Sequence, residues 1–551
     1  MKRRTLIKGL TATLPSLWLS RTLGNGYFGE EQPGENVMKG PFEPTWDSLQ
    51  NYQTPEWYRN AKFGIWAHWG PQCQPEAGDW YARGMYQEGS WQYKCHLEKY
   101  GHPSKFGFKD VINEWKAEKW NPDELVALYK NAGAQYFMAL ANHHDNFDLY
   151  NSKYQKAWNS TKIGPKKDLI GGWAKAAKKQ GLPFGVSVHA SHAWSWFEVA
   201  QRSDKNGAYA GVPYDGKLNK KDGQGKWWEG LDPQELYEQN HPLAANSLDD
   251  GMIHKQWHWS NGAVQPGKAY IEKFFNRTID LIDQYNPDLI YFDDSQFPMW
   301  PISNAGLRIA AHLYNKSIKD HGELRAVING KILDENQRKA MVWDIERGHS
   351  NDIEPLPWQA DTCIGGWHYD RGIYDRDQYK TAKTVIQTLI DVVSKNGNLL
   401  LNIPVRGDGS IDEKERKVVE DISQWMKTNG ESIFDTRPWK IFGEGPAQQA
   451  AAALTAQGFN EGKGKPFIAE DIRFTAKGNT LYATALAWPE NGKLVIKSLA
   501  PASGHYKGVI QQVQLLDQHS SVQYKQTDEG LELQLPDKKA DAPAYVFKII
   551  S

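Results

Sequence analysis

Cysteine is scarce: three residues, Cys73, Cys95 and Cys363, in a chain of 551. None forms a CxxC pair, and an odd number cannot all pair internally. Neither a disulfide framework nor a zinc site is indicated, although export would still allow one disulfide. An excess of charge is also missing, with 65 Lys and Arg against 66 Asp and Glu. A nucleic-acid footprint needs a basic excess or patch, so no nucleic-acid partner is expected. After the N-terminal leader no run approaches 18 uninterrupted apolar residues, so no transmembrane helix is expected. HExxH metal-ligand spacing is absent as well. Tryptophan, by contrast, is plentiful at 24 residues. Most large aromatics fill cores, but an excess also supplies flat apolar faces for a binding site.

The length suits a barrel-sized unit plus a second domain. Met1-Lys2-Arg3-Arg4-Thr5-Leu6-Ile7-Lys8, followed by the mildly apolar Gly9 to Leu23, has the pattern of a signal peptide. The adjacent arginines resemble a bacterial twin-arginine leader. Residues 1–25 are therefore set apart from the fold, and export to the periplasm is expected.

The chain is organised around Pro287-Asp288-Leu289-Ile290-Tyr291-Phe292-Asp293-Asp294-Ser295. A short apolar run after a helical stretch, Tyr270 to Gln284, reads as a buried parallel strand. It ends in two carboxylates, where α/β barrels keep their chemistry. Three earlier strands repeat the arrangement with histidine. Phe63 to Ala67 ends in His68, Tyr136 to Leu140 runs into His143-His144, and Phe184 to Val188 ends in His189. Asn121-Pro122-Asp123-Glu124 opens a helix between the first two. Such alternation over some 350 residues predicts a (β/α)8-like barrel whose strand tips share one mouth.

Further strands are expected at Leu324 to Ile328, at Met341 to Ile345 before Glu346, and at Asn398 to Ile403. Helices are expected at Asn304 to Ile318, Tyr379 to Ser394 and Glu413 to Lys427. The long polar insertion Glu198 to Gln265, with Trp227, Trp228 and Trp257, is read as a mouth loop that shapes a substrate pocket. From about residue 432 short alternating runs appear, separated by Gly-Asn turns. Residues 26–431 are thus assigned to the catalytic barrel and 432–551 to a small antiparallel β-sandwich.

Asp293 and Glu346, at separate strand ends beside histidines, fit glycoside hydrolysis. One carboxylate must stay ionised as nucleophile, while the other needs a raised pKa to act as acid. Imidazole and indole suit sugar hydroxyls and apolar ring faces. Metal-assisted hydrolysis is the chemical rival, since His68, His143, His144 and Asp293 are possible ligands.

Lys62-Phe63-Gly64-Ile65-Trp66-Ala67-His68-Trp69-Gly70, His143-His144-Asp145-Asn146-Phe147, Phe184-Gly185-Val186, Tyr291-Phe292-Asp293 and Asn398 to Ile403 together resemble the α-L-fucosidases of glycoside hydrolase family 29. The likeness runs from about residue 50 to 430, and the β-rich tail resembles that family's C-terminal domain. It implies an irregular barrel and a retaining enzyme that releases α-linked L-fucose from fucosylated oligo- or polysaccharides, with no cofactor and no metal. By motif position Asp293 is the nucleophile, and His68, His143 and His144 hold sugar hydroxyls. Trp80 and Tyr81, Tyr291, His189 and Trp358 complete the implied binding set. Asp79 stands where members often carry Glu, and Tyr291 where they often carry Trp. Some members have Trp-Glu where this chain has Trp358-Gln359. The Ile345-Glu346-Arg347-Gly348 segment makes Glu346 the choice for acid/base, with Glu354 second. An α-L-galactosidase and a catalytically impaired carbohydrate-binding protein are the alternatives. Oligomeric state is not legible.

Overall fold

The computed structural model describes residues 37–245, 247, 259, 264–293, 297–449, 459–518, 520–536 and 542–550. The leader, Trp257, Asp294 and Ser295 lie outside them.

Eight parallel strands close into a barrel in chain order. They are β1 (Phe63–Ala67), β2 (Tyr136–Asn142), β3 (Phe184–Val188), β4 (Leu289–Phe292), β5 (Val327–Gly330), β6 (Val342–Glu346), β7 (Trp358–Cys363) and β8 (Gly397–Asn402). β1 closes on β8 with Phe63 beside Leu399. Almost every strand residue is buried, as expected where helices cover the outer face and side chains fill the inner one.

Helices α1 (Pro122–Asn131), α2 (Leu169–Lys179), α3 (Lys268–Tyr285), α4 (Ala305–His321), α5 (Ala382–Ser394) and α6 (Glu413–Asn429) pack outside. Their starts carry side-chain caps where the sequence offers them. Asn121 accepts from the Glu124 amide, and Asp412 and Glu415 form a reciprocal capping box. The ring of helices is incomplete. Among the described residues, β5 is followed only by the short turn Gln337–Lys339, and no helix separates β6 from β7.

Several strand boundaries differ from the sequence expectation by a few residues, two of them next to the site. β5 starts at Val327 rather than Leu324, because the Arg325 and Ala326 amides donate to Ser317 Oγ at the end of α4. β6 extends to Glu346, which pairs with Asp361 on β7.

The insertion after β3 is not a mouth loop in its described part. Lys109 donates to Asp215 at 2.8 Å, the Trp227 indole donates to Asp110, and Trp228 is buried. These contacts fix the segment to the flank around Phe108–Glu114. None of its described residues lines the cavity at the barrel mouth.

Close packing inside the barrel makes Gly64 on β1 a sensitive position. A Cβ there would fall 2.3 Å from the ring of Tyr136, whose hydroxyl is anchored on Gln359. Gly64→Ala is expected to destabilise the protein by about 1–3 kcal/mol. Denaturant unfolding checks this; an unchanged midpoint would mean that the ring yields freely.

The C-terminal strands are β9 (Arg437–Glu444), β10 (Ile472–Lys477), β11 (Thr480–Ala485), β12 (Lys493–Ile496), β13 (Gln512–Leu515), β14 (Ser520–Ser521), β15 (Gln523–Thr527), β16 (Gly530–Gln534) and β17 (Tyr545–Ile550). They form a six-stranded sheet, β14-β13-β17-β11-β10-β9, and a three-stranded one, β12-β16-β15. Both are antiparallel, and Phe474, Leu494, Val513, Leu531 and Phe547 belong to one shared core. This unit docks on α5 through Arg473, which donates to Asp391 at 2.6 Å. It also docks on α6, where the Trp425 indole donates to the Ala544 carbonyl.

Candidate active site

Asp293 follows β4, Lys331 follows β5 and Glu346 ends β6, on three neighbouring strands. The side chain on the middle strand therefore stands between the other two. The Lys331 ammonium donates to both the Asp293 and the Glu346 carboxylate. Asp293 also accepts from His189 Nδ1 at 2.9 Å, and His144 Nε2 lies 3.6 Å away.

The two carboxylates are tuned in opposite directions. Burial pushes Asp293 up, but the Lys331 charge and the hydrogen bond from His189 outweigh it, holding the carboxyl well below its ordinary value. Burial raises Glu346, Lys331 draws it back, and the Asp293 charge raises it again, leaving a net upward shift. One acid is thus kept ionised while its neighbour is inclined to hold a proton. Burial disfavours the Lys331 ammonium, yet Asp293, Glu346 and Asp361 raise it well above the usual lysine range.

The histidine bed is built from below. In the loop after β2, Asp148 receives two hydrogen bonds from the buried Arg277 guanidinium of α3, at 2.7 and 3.0 Å. Arg277 also donates to the Asn146 side chain and carbonyl. This clamp sets the loop that carries His143 and His144. His144 Nδ1 meets the His189 carbonyl at 2.7 Å, so Nδ1 carries the proton and Nε2 turns toward Asp293. Gln72 donates to His143 Nδ1 at 2.8 Å, which leaves the proton on Nε2. Asn402 at the end of β8 receives the His68 amide, while both imidazole nitrogens of His68 are buried without a protein hydrogen-bond partner. Burial holds His68 and His143 well below the ordinary histidine value, and His189 at about 4. Neutral imidazoles of this kind both donate to and accept from hydroxyls.

The cavity above these groups measures about 390 Å³. Trp66 and Tyr291 meet at 5.1 Å and line it, together with Trp80, His143, Trp367 and His368. Trp80 sits in the left-handed region at φ 57°, a strained conformation for so bulky a residue. Asp79 reaches the cavity too, and its carboxylate is engaged by the His368 amide at 2.5 Å.

Four residues assigned to sugar contact are not part of the cavity lining: His144 and His189 reach Asp293 instead, and Tyr81 and Trp358 face away. Tyr81 is buried in the short helix Tyr81–Gly84, with its hydroxyl on His96 Nδ1. Trp358 opens β7 and so lies at the end of the barrel opposite the mouth, with its indole on the Lys395 carbonyl. Gln359, the next residue, is an interior group hydrogen-bonded to Tyr58, Tyr136 and Asp344. Glu354, whose amide donates to the Lys395 carbonyl, sits at that far end as well.

Lys331, Asp361, Trp367 and His368 went unnoticed in the sequence. Lys331 and Trp367-His368 each follow a strand, which is the only signal they carry. Among the described residues, two groups offer metal-ligand types with atoms within 4.8 Å of one another: His143, His144, His189 and Asp293, and His68, His143 and His368. The Lys331 ammonium already on Asp293 opposes a second cation at the first group.

Residues 32–431 match the family described as Alpha-L-fucosidase. The chain belongs to the alpha-L-fucosidase family. It is a glycoside hydrolase. Residues 465–550 match that family's C-terminal domain. Tissue alpha-L-fucosidase of Rattus norvegicus is 25% identical over 468 residues, 83% of this chain and 81% of that protein. The Homo sapiens counterpart is 26% identical over 469 residues, 83% of this chain and 81% of its own. Among solved structures, the Thermotoga maritima alpha-fucosidase in complex with a mechanism-based inhibitor superposes at a TM-score of 0.66. It is 24% identical and covers 93% of this chain and all of that one. A Bacteroides thetaiotaomicron alpha-L-fucosidase, trapped as a covalent intermediate, superposes at 0.59 with 16% identity, covering 94% of this chain and 99% of that one. These neighbours establish that the family's fold extends over nearly the whole chain, and that its barrel and C-terminal sheets occur together.

Proposed function

We propose that the protein is a retaining exo-hydrolase of α-linked L-fucose. Asp293 acts as nucleophile and Glu346 as acid and then base, while His68, His143, His144 and His189 grip the sugar with Trp80 and Tyr291. The observation that carries this reading is one ammonium shared by two carboxylates. Two hydrogen bonds to one nitrogen keep the nearest oxygens within about 6 Å. That is on the scale of the about 5–5.5 Å of retaining sites, and short of the spacing an inverting water needs.

In the first step Asp293 attacks the anomeric carbon while Glu346 gives its proton to the leaving oxygen. The glycosyl–aspartate ester forms as the glycosidic bond breaks. In the second step Glu346 takes a proton from water, whose oxygen displaces Asp293 and restores the enzyme. The opposed tuning of the two acids suits these roles at the outset. The domain division near residues 431 and 432 follows the same reading, with the chemistry confined to the barrel. Export through the N-terminal leader is likewise proposed.

α-L-Galactosides remain the second candidate substrate, because the cavity floor is not wholly apolar. Asp361 lines it with one buried carboxyl oxygen that has no protein partner. Burial and the neighbouring Asp344 charge hold that carboxyl well above its ordinary value. A neutral acid there can hydrogen-bond the hydroxyl that L-galactose carries and L-fucose lacks. Release from aryl α-L-fucoside and aryl α-L-galactoside, with product stereochemistry followed by NMR, tests both readings. First-formed β-anomer would refute retention, and release of neither sugar would refute hydrolysis of either.

Lys331 should also shape the pH profile. Its charge depresses both carboxyl groups, so removing it raises both pKa values. Lys331→Met is expected to move both limbs of the kcat/KM profile to higher pH. An unmoved profile would take Lys331 out of the electrostatics.

A further inference from the structure

His368 lines the catalytic cavity, yet neither of its ring nitrogens has a protein hydrogen-bond partner. The residue is 1% exposed. Withdrawing polar nitrogens from water without pairing them costs stability, so the imidazole calls for a reason to be there.

The segment that carries it is tied down on two sides. Asn402, at the end of β8, donates to the Trp367 carbonyl at 2.8 Å, while its own side-chain oxygen accepts from the His68 amide at 2.9 Å. One side chain therefore sets both His68 and the segment after β7. On the other side the His368 amide donates to Asp79, and the Gly78 amide donates to the Tyr369 carbonyl at 3.1 Å. All of these bonds go to backbone groups of the segment, so the imidazole is fixed but uncommitted.

Its neighbours decide what it can hold. His368 packs edge-on against His68 and His143, with ring centres 4.7 and 4.9 Å away. Ring nitrogens of the three lie within 4.8 Å of one another. A hydroxyl that accepts from one imidazole and donates to another, at about 2.8 Å each, spans a gap of that size. Gln72 fixes His143 as a donor at Nε2. The Asp79 carboxylate, 3.6 Å from His368 Nδ1, favours a proton there and leaves Nε2 to accept. His143 belongs both to this group and to the one around Asp293, so it stands between His368 and the nucleophile.

We propose that His368, backed by Asp79, is a specificity-determining residue of the terminal-sugar pocket and hydrogen-bonds a ring hydroxyl remote from the anomeric carbon, at C3 or C4. The anomeric carbon must meet Asp293, so the carbons across the pyranose ring fall on the His368 side. A sugar without that hydroxyl leaves buried nitrogens unpaired and is rejected. The proposal rests on the exo-hydrolase reading and adds to it which part of the sugar is read.

The test pairs wild type, His368→Phe and His368→Gln with an aryl α-L-fucoside and its 3-deoxy and 4-deoxy forms. Wild type should cleave one deoxy form about 10–100-fold less well in kcat/KM than the parent. His368→Phe should lower kcat/KM on the parent by a similar factor, yet leave that deoxy form within about threefold, because the bond at stake is already gone. His368→Gln, whose amide both donates and accepts, should recover part of the loss on the parent alone. The deoxy sugar that escapes the effect identifies the hydroxyl. A fall of equal size on all three substrates would make His368 a packing residue only and overturn the proposal, as would a wild type indifferent to both deoxy changes. Calorimetry with the free sugars gives a readout without turnover. Wild type should bind L-fucose about 10–100-fold more tightly than the same deoxy form, and His368→Phe should bind the two alike. A protein that binds L-fucose in this way but cleaves no aryl fucoside would refute the hydrolase reading and leave His368 its role. One that binds L-fucose no better than its deoxy forms would overturn the proposal whatever it cleaves.

Discussion

Asp293→Ala should lower turnover of an aryl α-L-fucoside by about 10⁴-fold or more, because the covalent route closes when its nucleophile is gone. Lys331, His189 and His144 all converge on this carboxylate, and none offers a substitute oxygen. The barrel should survive the change, since the Asp293 side chain ends at the cavity rather than in the packed interior. Near-UV circular dichroism checks that point. Added azide should restore part of the rate by entering the vacated space and attacking from the same face. The product is then the β-fucosyl azide, inverted relative to the substrate. Wild-type-like turnover in this variant would place the nucleophile elsewhere.

Glu346→Ala should lower kcat by about 10²–10⁴-fold for substrates with poor leaving groups, the usual range for a lost general acid. An activated aryl fucoside, whose leaving group departs without a proton, should be much less affected in its first step. Hydrolysis of the glycosyl-enzyme then becomes limiting, and a burst of released phenol should appear. Azide acts here on the already inverted intermediate, so its product is the α-fucosyl azide. The two variants thus yield opposite anomers from the same reagent, a distinction that general destabilisation cannot mimic. Loss of Glu346 without any burst or azide product would remove it from the acid/base role. Glu354 is no replacement, because it lies at the far end of the barrel.

The strand tips were legible because buried parallel strands are short continuous apolar runs, and a change to His or Asp at their ends stands out. Lys331 was not. A lysine after Asn329-Gly330 looks like an ordinary loop residue until β5 is known to lie between β4 and β6. Adjacency, not local composition, gives it two carboxylates. Trp358 and Glu354 failed for a related reason. Both stand at or before the start of β7, and a parallel strand carries its first residues away from the mouth. Tyr81 shows the limit of spacing: its neighbour Trp80 takes the left-handed conformation and faces the cavity, while the next ring is turned inward onto His96. The long insertion misled because tryptophan in a polar segment serves flank packing as readily as a sugar platform.

The Arg277 clamp decides when the entropy of ordering is lost. A guanidinium almost wholly withdrawn from solvent is fastened twice to Asp148 and again to Asn146, so the histidine loop is immobilised as the chain folds. Sugar arriving later finds its hydroxyl partners already oriented, and little freedom is surrendered on binding. Amide hydrogens of residues 143–148 should therefore exchange as slowly in the empty enzyme as with inhibitor bound, and crystals of the two should superpose there without a shift.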